Sequence, residues 1–215
     1  IGGDIFSRII WATRVDLSTA LMIVAVASLI GVALGVVSGF MGGKIDEILM
    51  RITDIFLAFP SLILAMAIAA ALGRSWQNLM IALMLVWWPS YARIIRGQVL
   101  AEREKMYVEA ARAVGASTPR IMFRHVLPNS IYPLFVAATM DLGGVIIVAA
   151  ALSFIGFGAN PGMAEWGRMI ADGHSFLFSH PWMAMFPGVA ILITALGFNF
   201  VGDGLRDVLD PRLRR

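Results

Sequence analysis

The chain has 215 residues, 59% apolar and only 14% charged, with a mean hydropathy of +0.81 and a formal net charge of +3. Soluble domains carry about 25% charged residues, so a soluble fold of this size is excluded and an all-α integral membrane protein is expected. Cysteine is absent, which removes disulfides, thiolate metal sites and a Cys nucleophile. The basic balance lacks the interleaved aromatic residues of a nucleic-acid surface and reads as loop charge, with lipid as the surrounding partner.

The sequence opens Ile1-Gly2-Gly3-Asp4 without an initiator Met and without a basic segment leading into a short apolar core. No signal peptide is therefore expected, and a preceding segment is. A spanning helix needs about 20 mostly apolar residues. The first such run is 17–40, where Gly31, Gly35 and Gly39 share one face and invite close approach of another helix. Gly42-Gly43 breaks it. Helical periodicity then resumes with Ile48, Ile52, Ile55 and Phe59 on one face and Glu47 and Arg51 paired at i,i+4. The run becomes fully apolar over 55–72, with a kink expected at Pro60. A third span covers 76–95, with Trp76 as an interfacial anchor, a second kink near Pro89, and Arg93 and Arg96 marking its exit.

Residues 102–128 form the one long polar interval. It is read as two short helices. Tyr107, Ala110, Ala111 and Val114 make an i, i+3, i+4, i+7 stripe on the first, and Gly115 ends it. Thr118 is expected to cap the second, with Pro119 at its first position. A fourth span runs from about 128 to 157, and a fifth over 182–201. Between them lies a loop, 158–181, with a small amphipathic piece around Trp166, Met169 and Ile170. Trp166 and Trp182 are expected at the membrane edge. After the last span, Asp203, Asp207 and Asp210 alternate with Arg206 and Arg212 in a solvated end.

Placing 102–128 in the cytoplasm puts 13 of the 17 Lys and Arg residues on that side, as the positive-inside rule demands. Only Arg8, Arg14, Arg74 and Arg168 lie opposite. Five spans then give an outside N-terminus, a cytoplasmic C-terminus and an external loop at 158–181.

The interval also carries a motif. Glu109-Ala110-Ala111, then Gly115, then Leu127-Pro128, resembles the EAA loop of bacterial ABC importer permeases. Arg124-His125-Val126-Leu127-Pro128-Asn129 resembles the peptide branch of that family, the dipeptide and oligopeptide permeases. Residues 39–60, 151–158 and 202–214 are similar to the C-type subunit of those systems, so the resemblance covers nearly the whole chain.

The resemblance implies a single type I ABC importer permease domain over 1–215, with a sixth helix preceding the part seen here. It sits in the bacterial inner membrane with cytoplasmic coupling helices. It implies a second permease subunit of a different sequence, two cytoplasmic ATPase subunits that bind ATP and Mg, and an external substrate-binding protein. The ATPase-coupling residues are then Tyr107, Glu109, Ala110, Ala111, Arg112, Val114, Gly115, Leu127 and Pro128. The cargo is a di- or oligopeptide, with nickel or another small solute as the alternative within the branch.

Other classes lack support in the residues. A phosphate-binding loop needs G-x-x-x-x-G-K-[S/T]; around Gly43-Lys44, Ser38 replaces the first Gly and Ile45 follows the Lys, so no catalytic or nucleotide cofactor site is expected in this chain. A membrane-embedded enzyme needs paired polar residues at one depth, and a passive channel has no use for a docking loop. His174 and His180 are poorly spaced for a metal, and none is expected. Asp141 lies well inside the fourth span, where a carboxylate is costly. It is a substrate-pathway candidate, weighed against a structural role beside Gly143-Gly144.

Overall fold

The computed structural model describes residues 4–158 and 160–209; the charged end expected at Asp210, Arg212, Arg214 and Arg215 lies outside the described residues. Regular structure there is helical: α1 (Ile5–Met41), α2 (Gly43–Leu57), α3 (Ser61–Leu72), α4 (Trp76–Arg103), α5 (Met106–Ala113), α6 (Thr118–Ile121), a π-helical turn (Met122–Val126), α7 (Leu127–Ser130), α8 (Tyr132–Ile155), α9 (Trp166–His174) and α10 (Trp182–Leu209). α1, α4, α8 and α10 are long and apolar enough to cross a membrane, and α2 with α3 supplies a fifth passage if the pair counts as one span. This agrees with the five spans read from the sequence.

The boundaries differ for identifiable reasons. α1 begins at Ile5 because the Asp4 carboxylate accepts a hydrogen bond from the Ser7 amide at 2.8 Å and caps the first turn. Gly42 ends it at φ +66°, a conformation that costs glycine no Cβ clash. The kink expected at Pro60 is a full break, with α2 and α3 meeting at 91°. Proline lacks an N–H and biases the preceding residue away from the helical region. Pro89, by contrast, sits inside an unbroken α4. That helix runs past Arg93 and Arg96, where the exit was expected, because its basic residues find partners on neighbouring helices. Arg93 pairs with Asp54 at 2.6 Å, Arg96 forks onto both oxygens of Asp46 at 2.6 Å, and Arg103 donates to the Gly39 carbonyl at 2.8 Å.

α1 and α4 run parallel in close contact. A Cβ built on Gly31 would lie 2.5 Å from the Cβ of Tyr91, and one on Gly35 2.5 Å from the Ala92 carbonyl oxygen. One on Gly39 would lie 2.9 Å from the Arg96 carbonyl. The glycine stripe is thus a packing seam. α8 and α10 run antiparallel, with Gly143 against Ala195 and Gly202 against Met140. Gly156 closes α8 in the left-handed region, and the Phe157 amide reaches back to the Leu152 carbonyl at 2.9 Å.

At the end of the bundle remote from α5–α7, α9 is clamped by buried polar groups. The fully buried Glu165 caps α9: its carboxylate accepts from the amides of Gly167 (2.7 Å) and Arg168 (2.6 Å) and from the Ser153 hydroxyl of α8 (2.5 Å). Asp16 of α1 meets Glu165 and accepts from the Trp166 amide at 3.1 Å. Among the described residues no ion pair reaches either carboxyl. Burial raises Glu165 above the usual carboxylate range. Trp166 is 1% exposed and donates its indole N–H to the Ile9 carbonyl at 3.2 Å. The placement of Trp166 at the membrane edge is therefore corrected; it is a core residue. Trp182, 45% exposed, keeps an outward position.

Candidate functional site

The polar interval folds into a knob at the end of α4. Glu102 and Arg103 still belong to α4. α5 is seated by Val108, which is fully buried, and by Arg112, whose guanidinium lies 5.9 Å from the centre of the Phe40 ring. The Tyr107 hydroxyl donates to Glu102 at 2.6 Å and lies 3.3 Å from the His125 carbonyl. Asn129 donates to that carbonyl at 2.7 Å, and Lys105 pairs with Glu102 at 2.6 Å. Tyr107 thus joins the end of α4 to the returning limb. Burial, together with the Glu102 carboxylate, pushes its phenol up to about 12.

The bend falls at Gly115, at φ +81°, with no atom within 4 Å of a Cβ built there. Glycine is required by the backbone at this point and not by crowding. The returning limb starts at Thr118, but Ser117 and not Thr118 is the N-cap, and its side chain makes no capping hydrogen bond. Pro119 already fills one of the positions that lack an intrahelical partner. The limb does not remain a simple α-helix. It widens into the π-helical turn at Met122–Val126 before Pro128. The proline ring would crowd the Arg124 carbonyl four residues back, and a π turn relieves that contact. Ile121, Met122 and Val126 point into the bundle and anchor the limb.

The two limbs enclose a concavity of about 560 Å³ lined by Tyr107, Ala110, Ala111, Val114, Gly115, Arg120 and His125 among others. The apolar stripe read from the sequence is open to solvent except at the half-buried Ala111: Val114 is 84% exposed, as is Met106 at the start of α5. Five of the expected residues share this surface. Glu109 is exposed, Arg112 turns toward Phe40, and Leu127 and Pro128 lie on the stem beyond it. Sequence reasoning missed Arg120 and His125 as lining groups, and Glu102 and Asn129 as the partners that fix Tyr107. The i,i+3 spacing of Glu102 and Lys105 was the available signal.

Asp141 is not part of this surface. It lines a separate cavity of about 470 Å³ at the break between α2 and α3, with Phe56, Ser61, Trp87, Ser90 and Met140. His174 packs edge-on against Phe154, and His180 against Phe176 and Trp182; no group of three metal-ligating side chains gathers among the described residues.

Residues 31–215 match the family described as binding-protein-dependent transport system inner membrane component. The chain is 48% identical over 212 residues to the probable D,D-dipeptide transport system permease protein DdpC of Escherichia coli strain K12, covering 99% of this chain and 71% of that one. It is 46% identical to the dipeptide transport system permease protein DppC of Alkalihalophilus pseudofirmus, covering 99% and 70%. It is 44% identical to the glutathione transport system permease protein GsiD of Pectobacterium atrosepticum, covering 100% and 71%. Among solved structures it resembles an amino acid ABC transporter with histidines (TM-score 0.72, 17% identity, 97% of this chain and 100% of that one). It also resembles the MetNI methionine ABC transporter in an inward-facing conformation (0.68, 21%, 93% and 97%). These two likenesses establish the fold.

Proposed function

The chain belongs to the family of binding-protein-dependent transport system inner membrane components, and from that premise we propose that it is the C-type permease subunit of an ATP-driven importer of short peptides. As a family member it is a multi-pass inner-membrane protein of a system that includes a substrate-binding protein and an ATPase. Peptide cargo is supported by relatives named for D,D-dipeptides, dipeptides and glutathione. On this reading the chain hydrolyses nothing itself. Two partner ATPases hold ATP and Mg, and a second permease of different sequence completes the pore. The basic end that carries α5–α7 is cytoplasmic, and α9 lies outside with the N-terminus of the sequence.

The observation that carries this reading is the exposed apolar stripe of α5. Tyr107, Ala110 and Val114 are exposed, while the half-buried Ala111 and the buried Val108 hold α5 against the core. Such a patch on a rigid mount is made to be covered by another protein. Its placement at the tip of α4 lets movement of the covering ATPase pass directly into a spanning helix. Glu109 supplies a polar contact at the edge, Arg112 links the stripe to α1 through Phe40, and Leu127-Pro128 form the stem of the return.

The test is Val114→Asp in the whole transporter reconstituted in proteoliposomes. Peptide uptake and binding-protein-stimulated ATP hydrolysis should both fall about tenfold or more, since a buried unpaired carboxylate at an interface costs several kcal/mol. Unchanged uptake with Val114→Asp would refute the docking assignment. Uptake of peptide by this chain without ATPase would refute the importer reading in favour of a channel.

A further inference from the structure

The cavity at the α2–α3 break combines three features that membrane packing alone does not explain. First, Asp141 lies about 14 Å along α8 from Tyr132 at the usual rise per residue, close to the middle of a hydrocarbon core. Among the described residues it makes no ion pair, although an ionisable group at this depth is expensive without a partner. Second, the groups around it have unmet capacity. Trp87 and Tyr91, one turn apart on α4, face the Asp141 side chain. The hydroxyls of Tyr91 and the adjacent Ser28 are buried beside each other and beside Asp141, without a partner at full hydrogen-bond geometry. Buried polar atoms of this kind call for water or a ligand.

Third, the backbone itself is broken at this level. Phe56, just before the break, packs edge-on against Trp88 of α4 with ring centroids 5.4 Å apart. The break is therefore level with the Trp87–Tyr91 turn. The Ala58 amide still bonds to the Asp54 carbonyl and the Pro60 carbonyl accepts from Leu64, but between them the helical pattern is interrupted at Phe59, and Phe59 and Pro60 are exposed. Hydrocarbon cannot satisfy such backbone groups; they persist only where protein or a water-filled cavity covers them. Ser61 and Ser90 add hydroxyls to the same wall.

We propose that this cavity is a station on the transport path where Asp141 receives a primary ammonium group, the free amino terminus of the peptide, with Trp87 and Phe56 offering aromatic surface to the cation and Tyr91 positioning the carboxylate. A lone carboxylate flanked by aromatic rings suits an organic ammonium. A divalent metal needs more ligands than the cavity holds. Transient pairing with a passing cation also suits transport, since a permanent partner would block the site. The inference rests on the peptide-import reading, and the experiment separates the two.

The chain has no cysteine, so Ser90→Cys introduces its only thiol, at an exposed position on the cavity wall. The assembled transporter in membranes is treated with two water-soluble methanethiosulfonates, one bearing an ethylammonium and one an ethylsulfonate. The cationic reagent should react about tenfold faster, the order expected of a cleft lined by one sign of charge. The preference should fall to near unity in Ser90→Cys with Asp141→Asn. A free-amine dipeptide should slow the reaction of Ser90→Cys. An inert thiol, or equal rates for both reagents with Asp141 intact, overturns the proposal.

In proteoliposomes, Asp141→Asn should lower dipeptide uptake about tenfold, the loss of one interaction of roughly 1.4 kcal/mol. Asp141→Glu should restore most of it, and Tyr91→Phe should fall between. Full uptake by Asp141→Asn, where the unmodified transporter moves the dipeptide, overturns the ammonium site and leaves peptide import standing. Failure of the unmodified, fully assembled transporter to move any dipeptide overturns both.

Discussion

Replacing Glu165 with Ala should release α9 from the rest of the bundle. The carboxylate accepts three hydrogen bonds, from Gly167, Arg168 and Ser153, at 2.5–2.7 Å, and it is fully buried. Each buried donor left without a partner costs about 1–3 kcal/mol. The Ser153 hydroxyl can turn to a carbonyl one turn back along α8, so two amide donors bear most of the loss. Taking the lower half of the range for each, α9 loses about 3 kcal/mol against local opening, a little over a hundredfold in the opening equilibrium. Hydrogen exchange on the purified transporter reads this directly: the protected amides of α9 should exchange about a hundredfold faster, while the α1–α4 seam keeps its protection. Asp16→Asn is the matched control. It keeps an acceptor for the Trp166 amide and relieves the meeting of two carboxyls, so α9 protection should hold or improve. Unchanged α9 exchange in Glu165→Ala, or collapse in Asp16→Asn equal to that in Glu165→Ala, would refute the clamp.

Gly35→Ala forces a Cβ to within 2.5 Å of the Ala92 carbonyl oxygen and should destabilise the chain by about 1–3 kcal/mol through overpacking. Gly97→Ala, with no atom within 4 Å, should be neutral or stabilising by up to about 1 kcal/mol; thermal midpoints in detergent compare the two. Tyr107→Phe removes the hydroxyl that joins Glu102 to the returning limb and should loosen the knob by about 1 kcal/mol. Trypsin should then cut after Lys105 several times faster, with membrane insertion unaffected. The fork of Arg96 on Asp46 is partly exposed, with side chains at 31% and 17%. A double-mutant cycle of Asp46→Ala and Arg96→Ala should therefore return a coupling of only about 1–2 kcal/mol; a value near zero would show that α2 is held by other contacts.

The spanning helices and the polar knob were legible because both are written locally. Long runs with little or no charge mark α1, α4, α8 and α10, and the i, i+3, i+4, i+7 stripe with Gly115 marks α5 and its bend. Asp141 stood out as a carboxylate amid apolar residues. The contacts that join distant segments were not legible. Asp16 and Trp166 are 150 positions apart, and nothing near either residue announces the other. Trp166 was expected at the membrane edge because amphipathic periodicity fixes which residues share a face and leaves open which face is buried. The π-helical turn escaped for another reason. Pro128 signals a disturbed helix, but the response of the backbone depends on how Ile121, Met122 and Val126 are already held.

α4 has mechanical consequences of its own. Its 28 residues form one continuous helix, about 42 Å long at the usual rise. Arg93 and Arg96 fasten α2 to it, and the glycine seam fastens α1. A tilt of about 10° applied at Glu102 carries Trp87, about 22 Å along the rod, sideways by about 4 Å. On the docking proposed for the knob, α4 and the helices bound to it act as a lever arm. Its handle is the knob and its working point is the wall of the Asp141 cavity, so displacement at one becomes a change in width at the other.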